Sequence, residues 1–294
     1  MIQYFVQLLK FRLSITVVFS AAIGYLLGFK LFDINQFILL IFGGFFVTGS
    51  ANCFNQILEI EKDKMMKRTS VRPLPQRNLT KFQAIVFGIL IGFLGLYMLN
   101  QINPNGSFYG LLSKSSFFGL ISIFLYVFSY TPLKRVSTVS IFVGAIPGAI
   151  PFLLGYVAAT DDFGLASGIL FAIQFFWQFP HFISISWLLD DEYKKAGFKM
   201  LFGGKKNSYP VLISISTSIL LLFISVLPFF ISIYDVRMSM FVMSLVVLLG
   251  IWFIYRSYTL LINLNDINAK KLMLASIIYL PTLQILYVID RFVF

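Results

Sequence analysis

The chain has 294 residues, 59% of them hydrophobic and 12% charged, with a formal net charge of +11 and a mean hydropathy of +0.87. That is far too apolar for an ordinary water-soluble domain, and apolar runs recurring about every thirty residues mark a polytopic membrane protein. The lone cysteine, Cys53, excludes an internal disulfide and a thiolate metal centre, and the basic balance fits membrane-flanking loops with no nucleic-acid partner.

An open sheet would leave backbone groups unpaired in lipid, and the runs lack the strict alternation of a barrel, so the fold class is all-α. At about twenty residues per span, helices are expected near 12–30, 36–58, 81–100, 107–130, 138–159, 164–189, 209–233, 237–262 and 270–293. These nine form one domain, 1–294, a single bundle around a central cavity. Lys10 and Arg12 before the first run imitate a secretory signal, but the many later spans make that run an uncleaved transmembrane helix. Lys114 interrupts the fourth span, and Pro147 and Pro151 the fifth, which neighbouring helices can accommodate.

Basic residues set the orientation. Lys10, Arg12, the run from Lys62 to Lys81, Lys134, Arg135, the run from Lys194 to Lys206, Arg256, Lys270 and Lys271 share one side; only Lys30, Lys114, Arg237 and Arg291 fall on the other. The crowded side is expected in the cytoplasm, with the N-terminus inside and the C-terminus outside.

The second span runs into NCFNQILEIEKDKMMKRTSVRPLPQ, Asn52 to Gln76. Asn55, Glu59 and Asp63 are four residues apart and stack on one helix face, where like charges repel by a few tenths of a kcal/mol per pair. Lys64, Lys67, Arg68 and Arg72 follow before Pro73 and Pro75 end any helix. Carboxylates beside a basic cluster suit a divalent metal that holds a phosphorylated ligand, as Mg²⁺ does.

YTPLKR, Tyr130 to Arg135, ends the fourth span with two cations, which as an isolated feature reads as an interfacial anchor. The sixth span contains FFWQFPHF, with the only histidine, His181. Trp177 and Gln178 precede it by four and three positions, so the three can share a face. A neutral imidazole bonded within the bundle is the plain alternative to a cavity-facing group. Asp190, Asp191, Glu192, Tyr193, Lys194 and Lys195 then repeat the acid-then-base order four spans after the first loop. A solvated helix end would look the same, but loosely repeated halves commonly place a site between them. The active-site loops are therefore expected at about 59–80 and 190–208. With 35 Phe and 14 Tyr, the chain can wall a cavity with aromatic faces, which stabilise a carbocation without attacking it.

Together these segments resemble the intramembrane prenyltransferases of the UbiA type over nearly the whole length, and within them the branch that farnesylates haem b. The general mark is Asn55, Glu59 and Asp63; the narrower one is DKMMKRTSVRPLP (63–75), YTPLKR, GAIPGAIPFLLGYVAAT (144–160), WQFPHF and EYKKAGFKML (192–201), in that order. Two positions depart from the family pattern. Glu59 stands where Asp is frequent, one methylene longer, and Lys195 stands four after Asp191 where the wider family has a second aspartate.

The resemblance implies transfer of a farnesyl group from farnesyl diphosphate to the 2-vinyl group of haem b, releasing diphosphate. It implies Mg²⁺ on Asn55, Glu59 and Asp63 as catalytic residues, with Asp191 and Glu192 as candidates for a further metal. Diphosphate contacts would come from Arg68, Arg72, Lys134 and Arg135, and haem contacts from His181 and Trp177. The partners implied are the lipid bilayer, the two substrates, and a downstream haem A synthase or oxidase assembly; the location implied is the plasma (inner) membrane. A quinone-pathway prenyltransferase acting on an aromatic acid is the alternative within the enzymes, which WQFPHF and RTSVRPLP disfavour. A secondary transporter would carry its site near the midplane, whereas these acids lie at helix ends.

Overall fold

The computed structural model describes residues 1–106, 110–231 and 237–293. Among them, nine helices are long and apolar enough to cross a membrane: α1 Phe11–Gly28, α2 Ile34–Leu58, α3 Lys81–Asn100, α4 Lys114–Leu133, α5 Val139–Thr160, α6 Leu165–Leu188, α7 Ser208–Phe230, α8 Met240–Ile262 and α9 Asp266–Val293. The all-α expectation and the number of spans hold. Residues 107–109 of the expected fourth span and 232–233 of the seventh lie outside the described residues.

Lys114 does not interrupt a span; it begins one. The Ser113 side chain caps α4 by accepting from Ser116 N, and Lys114 Nζ pairs with Asp161 Oδ2 at 3.0 Å beyond the end of α5. Near its far end α4 changes to π-type winding over Leu125–Tyr130 before the last turn, Thr131–Leu133.

Helix α5 is the centre of the bundle, with 72% of its apolar window buried. It crosses α1 through small residues: a Cβ on Gly155 would lie 1.9 Å from Ala21 O, and one on Gly24 2.2 Å from Phe152 O. Helices gain dispersion contacts in lipid when backbones approach this closely. Two glutamines of α6 bond the α5 backbone on either side of its prolines: Gln174 Oε1 accepts from Phe152 N at 3.2 Å and Gln178 Nε2 donates to Ala145 O at 3.4 Å. Gln178 therefore faces α5 while Trp177 and His181 face α9, so the three do not share one face. The two amide bonds to α5 decide the rotation of α6.

Two helices break in nearly the same way. Helix α2 stops at Glu59 (φ −107°, ψ 10°) and restarts as a short helix, Ile60–Asp63; α6 stops at Leu189 (φ −105°, ψ 13°) and restarts as Asp190–Lys195. Four spans apart, these matching breaks support the reading of two like halves, with α9 packed outside the repeat against α6, α8 and α1.

Candidate active site

The break in α2 keeps its hydrogen-bond spacing: Glu59 N donates to Asn55 O at 3.1 Å and Asp63 N to Glu59 O at 2.7 Å. Asn55, Glu59 and Asp63 therefore stay on one face across the kink, and all three are buried, at 2%, 4% and 0% exposure. Taking ionised carboxylates out of water this far requires compensating charge. Three cations from three segments supply it.

The first is Lys10. A short helix, Ile2–Leu8, precedes α1, and its last carbonyls are bound by α2: Gln56 Nε2 donates to Leu8 O at 2.9 Å and Asn52 Nδ2 to Leu9 O at 3.4 Å. The chain then turns through a left-handed residue, Lys10 (φ 48°). Its ammonium reaches back to donate to Asn55 Oδ1 at 3.0 Å. The Asn55 amide donates in turn to Thr131 Oγ1 at 3.2 Å. Burial, then the neighbouring cations Arg72 and Lys134, push the Lys10 amine down to about 7, against the pull of Glu59 and Asp63.

The second cation is Lys134, just past α4, which pairs with Glu59 Oε1. Its ammonium also lies 4.9 Å from the Tyr130 ring centroid and 5.1 Å from that of Phe198. Burial lowers its pKa, and the Glu59 carboxylate opposes that shift. Lys134 O accepts from Lys199 N at 2.7 Å, which ties the loop after α6 to the end of α4.

The third is Arg72, whose Nη1 donates to Asp63 Oδ2 at 2.8 Å. Thr69 Oγ1 donates to Asp63 O at 2.9 Å, folding the loop back over the helix end. Asp63 Oδ1 is buried with no hydrogen-bond partner. Burial raises the Asp63 pKa, and Arg72 is the main opposing influence.

The other expected site residues divide. Arg68 is exposed at the loop surface, yet close enough to bias the Tyr193 phenol downward against the larger upward push of burial. Arg135 is exposed and donates from Nη2 to Leu58 O at 2.8 Å, so it closes the end of α2 and does not join the buried cluster. Asp191 is exposed, Asp190 is tied to Lys194 at 2.6 Å, and Glu192 Oε2 is buried without a hydrogen-bond partner. Among the described residues no three His, Cys, Asp or Glu side chains converge as a metal cluster. A set of two carboxylates and one amide oxygen, with an orphan oxygen on Asp63, nonetheless fits Mg²⁺, which takes few protein ligands and relies on substrate phosphates.

His181 Nδ1 lies 2.8 Å from Ser276 Oγ, and its ring stacks on Trp177 with centroids 4.7 Å apart. Trp177 Nε1 donates to Ser276 O at 2.8 Å, so both side chains are fixed by α9. Aromatic rings link this pair to the acidic end: His181 to Phe182 at 6.0 Å, Phe182 to Tyr130 at 6.5 Å, and Tyr130 to Tyr126 at 5.2 Å.

Lys10 and Tyr126 lie outside every segment that the sequence marks for the site, and Tyr130, Thr131 and Tyr193 lie within marked segments without a role of their own. Lys10 carries a basic signal that membrane topology already explains, and its contact with Asn55 spans 45 positions, beyond any periodicity.

The UbiA prenyltransferase family model matches residues 17–278. A protein of Flavobacterium psychrophilum named protoheme IX farnesyltransferase is 43% identical over 293 residues, covering 98% of this chain and 94% of the relative. One of the same name from Cytophaga hutchinsonii is 39% identical and covers 98% of each. Among solved structures, one described for digeranylgeranylglyceryl phosphate synthase superposes with a TM-score of 0.80 at 22% identity, over 99% of this chain and 98% of that one. A UbiA homolog from Archaeoglobus fulgidus bound to GPP and Mg²⁺ gives 0.71 at 14% identity, over 97% and 99%.

Proposed function

The chain belongs to the UbiA prenyltransferase family, and from that premise we propose that it transfers a farnesyl group from farnesyl diphosphate to the 2-vinyl group of protohaem IX, with the chemistry seated at the kinked end of α2. The observation that carries the placement is the stacking of Asn55, Glu59 and Asp63 on one buried face, met by cations from three segments.

In the transfer, the bond from farnesyl C1 to the diphosphate oxygen breaks and a bond from C1 to the vinyl terminal carbon forms. Water then adds at the carbon next to the porphyrin and loses a proton. Mg²⁺ bound by Asn55, Glu59 and Asp63 supplies charge neutralisation of the leaving diphosphate. Arg72 and Lys134, with Lys10 beside them and Arg68 at the rim, donate charge-assisted hydrogen bonds that strengthen as negative charge moves onto the departing oxygens. Interactions that grow along the reaction lower its barrier instead of merely binding substrate. The rings of Tyr126, Tyr130, Phe182 and Phe198 offer π faces to the allylic cation and expel water until the vinyl group has attacked. Trp177 and His181, held on α9 through Ser276, form a flat aromatic surface suited to a macrocycle.

By the crowding of Lys and Arg there, this end of the bundle lies on the cytoplasmic face of the inner membrane, with the N-terminus beside it. The test is incubation of purified protein with haem b, farnesyl diphosphate and Mg²⁺, followed by mass spectrometry. Haem enlarged by one farnesyl group and one hydroxyl group is expected; unmodified haem with prenylated aromatic acid in a parallel reaction would overturn the assignment.

A further inference from the structure

The same three side chains assigned above to a divalent ion are each engaged by a cation. Lys10 holds Asn55, Lys134 holds Glu59 and Arg72 holds Asp63. With Lys10 in its ammonium form, two carboxylates face three cations, a formal excess of one positive charge, because Asn55 is neutral. A divalent ion entering such a pocket is repelled by all three. It also displaces them from the oxygens they hold, which strands buried ammonium and guanidinium groups.

Diphosphate removes both obstacles. Its oxygens accept from the displaced cations, so every donor keeps a charged partner while the carboxylates turn to the metal. Resting on the proposed function, we infer that Lys10, Lys134 and Arg72 are exchangeable counter-ions that couple the two binding events. They pass from the metal ligands to the diphosphate as the metal takes their place. The pocket accepts a divalent ion poorly on its own and firmly together with diphosphate, and by thermodynamic reciprocity each raises the affinity of the other by the same factor.

Lys10 is the member by which the exchange can be tested. It bonds a neutral amide, so its removal leaves no unpaired carboxylate, and it enters from outside the α2 loop on a segment anchored by Gln56 and Asn52. The other two cannot be removed so cleanly, since each leaves a buried carboxylate alone.

The experiment follows Mn²⁺ binding to the full-length protein in detergent by paramagnetic resonance of the free ion, with and without inorganic pyrophosphate, corrected for the complex the two form in solution. Pyrophosphate is expected to tighten Mn²⁺ binding by about tenfold or more. Lys10→Met is expected to tighten pyrophosphate-free Mn²⁺ binding severalfold and to shrink the coupling, while Lys10→Arg preserves it. Equal Mn²⁺ affinity in the wild type with and without pyrophosphate overturns the inference, whatever the variants do. A Lys10→Met protein that binds Mn²⁺ no better alone overturns the role given to Lys10. Farnesylated haem is scored separately: product without coupling sinks only the exchange, and coupling without product sinks only the assignment of substrates.

Discussion

At the level of single side chains, the site separates residues that share a charge but not a task. Arg72 and Arg135 both follow spans and both read as basic loop residues, yet Arg72 donates to a buried carboxylate and Arg135 to the exposed end of α2. Arg72→Ala should raise the KM for farnesyl diphosphate by about tenfold or more, because it removes a charge-assisted bond and strands Asp63. Arg135→Ala should stay within about twofold of wild type, as exposed single bonds contribute little. Initial rates against donor concentration check both, and a matching loss in the two variants would mean that Arg135 also reaches the diphosphate. Asp63 is the sharper case, because Oδ2 is engaged and Oδ1 is buried without a partner. Asp63→Asn keeps the volume and deletes the charge, so turnover is expected to fall about a hundredfold or more while the protein still inserts. Near-normal product by mass spectrometry would remove Asp63 from the metal site. The four-residue spacing of this set was legible in the sequence because a helix repeats; Lys10 was not, because its reach to Asn55 depends on a left-handed turn and on two amides of α2 that hold the preceding carbonyls.

At the level of helices, α1 crosses α5 and α2 crosses α3, and small residues set both crossings. Gly155 leaves room for the Ala21 carbonyl, and Gly95 of α3 leaves room for Gly43 O, which a Cβ would approach to 2.9 Å. Gly155→Ala should lower thermal stability in detergent by an amount typical of overpacking, about 1–3 kcal/mol, because the obstacle is backbone, which cannot rotate away as a side-chain tip can. Gly168→Ala, on α6 with open space where its Cβ would go, is the control and should be neutral or slightly stabilising. Equal melting temperatures for wild type and Gly155→Ala would mean that α1 and α5 can move apart freely. The helix count was readable from apolar runs of membrane-spanning length. The rotation of α6 was not, since periodicity places Trp177, Gln178 and His181 on one side while the bonds of Gln178 to α5, and of the other two to Ser276, pull them apart. Lys114 misled for a related reason: it looked like a charge within a span, and the Ser113 cap makes it the first residue of α4.

At the level of the whole molecule, two similar halves place unlike chemistry at equivalent kinks. Counting from the breaks at Glu59 and Leu189, the position four residues on is Asp63 in the first half and Tyr193 in the second. The second half therefore offers a phenol where the first offers a carboxylate, and its remaining acids are spread between a pair with Lys194, an exposed side chain and Glu192. That asymmetry fits one metal-binding face with the opposite half left to close over substrate. It also makes orientation testable, because both kinks must face the same compartment. Cys53 is buried, so a Cys53→Ser background should tolerate single cysteines at Lys67, Lys195 and Lys30. In intact cells a membrane-impermeant maleimide is expected to label position 30 alone, and all three after permeabilisation, if the basic end is cytoplasmic. Labelling of 67 and 195 in intact cells would invert the bundle, and labelling of only one of those two would break the pairing of the kinks on which the site depends.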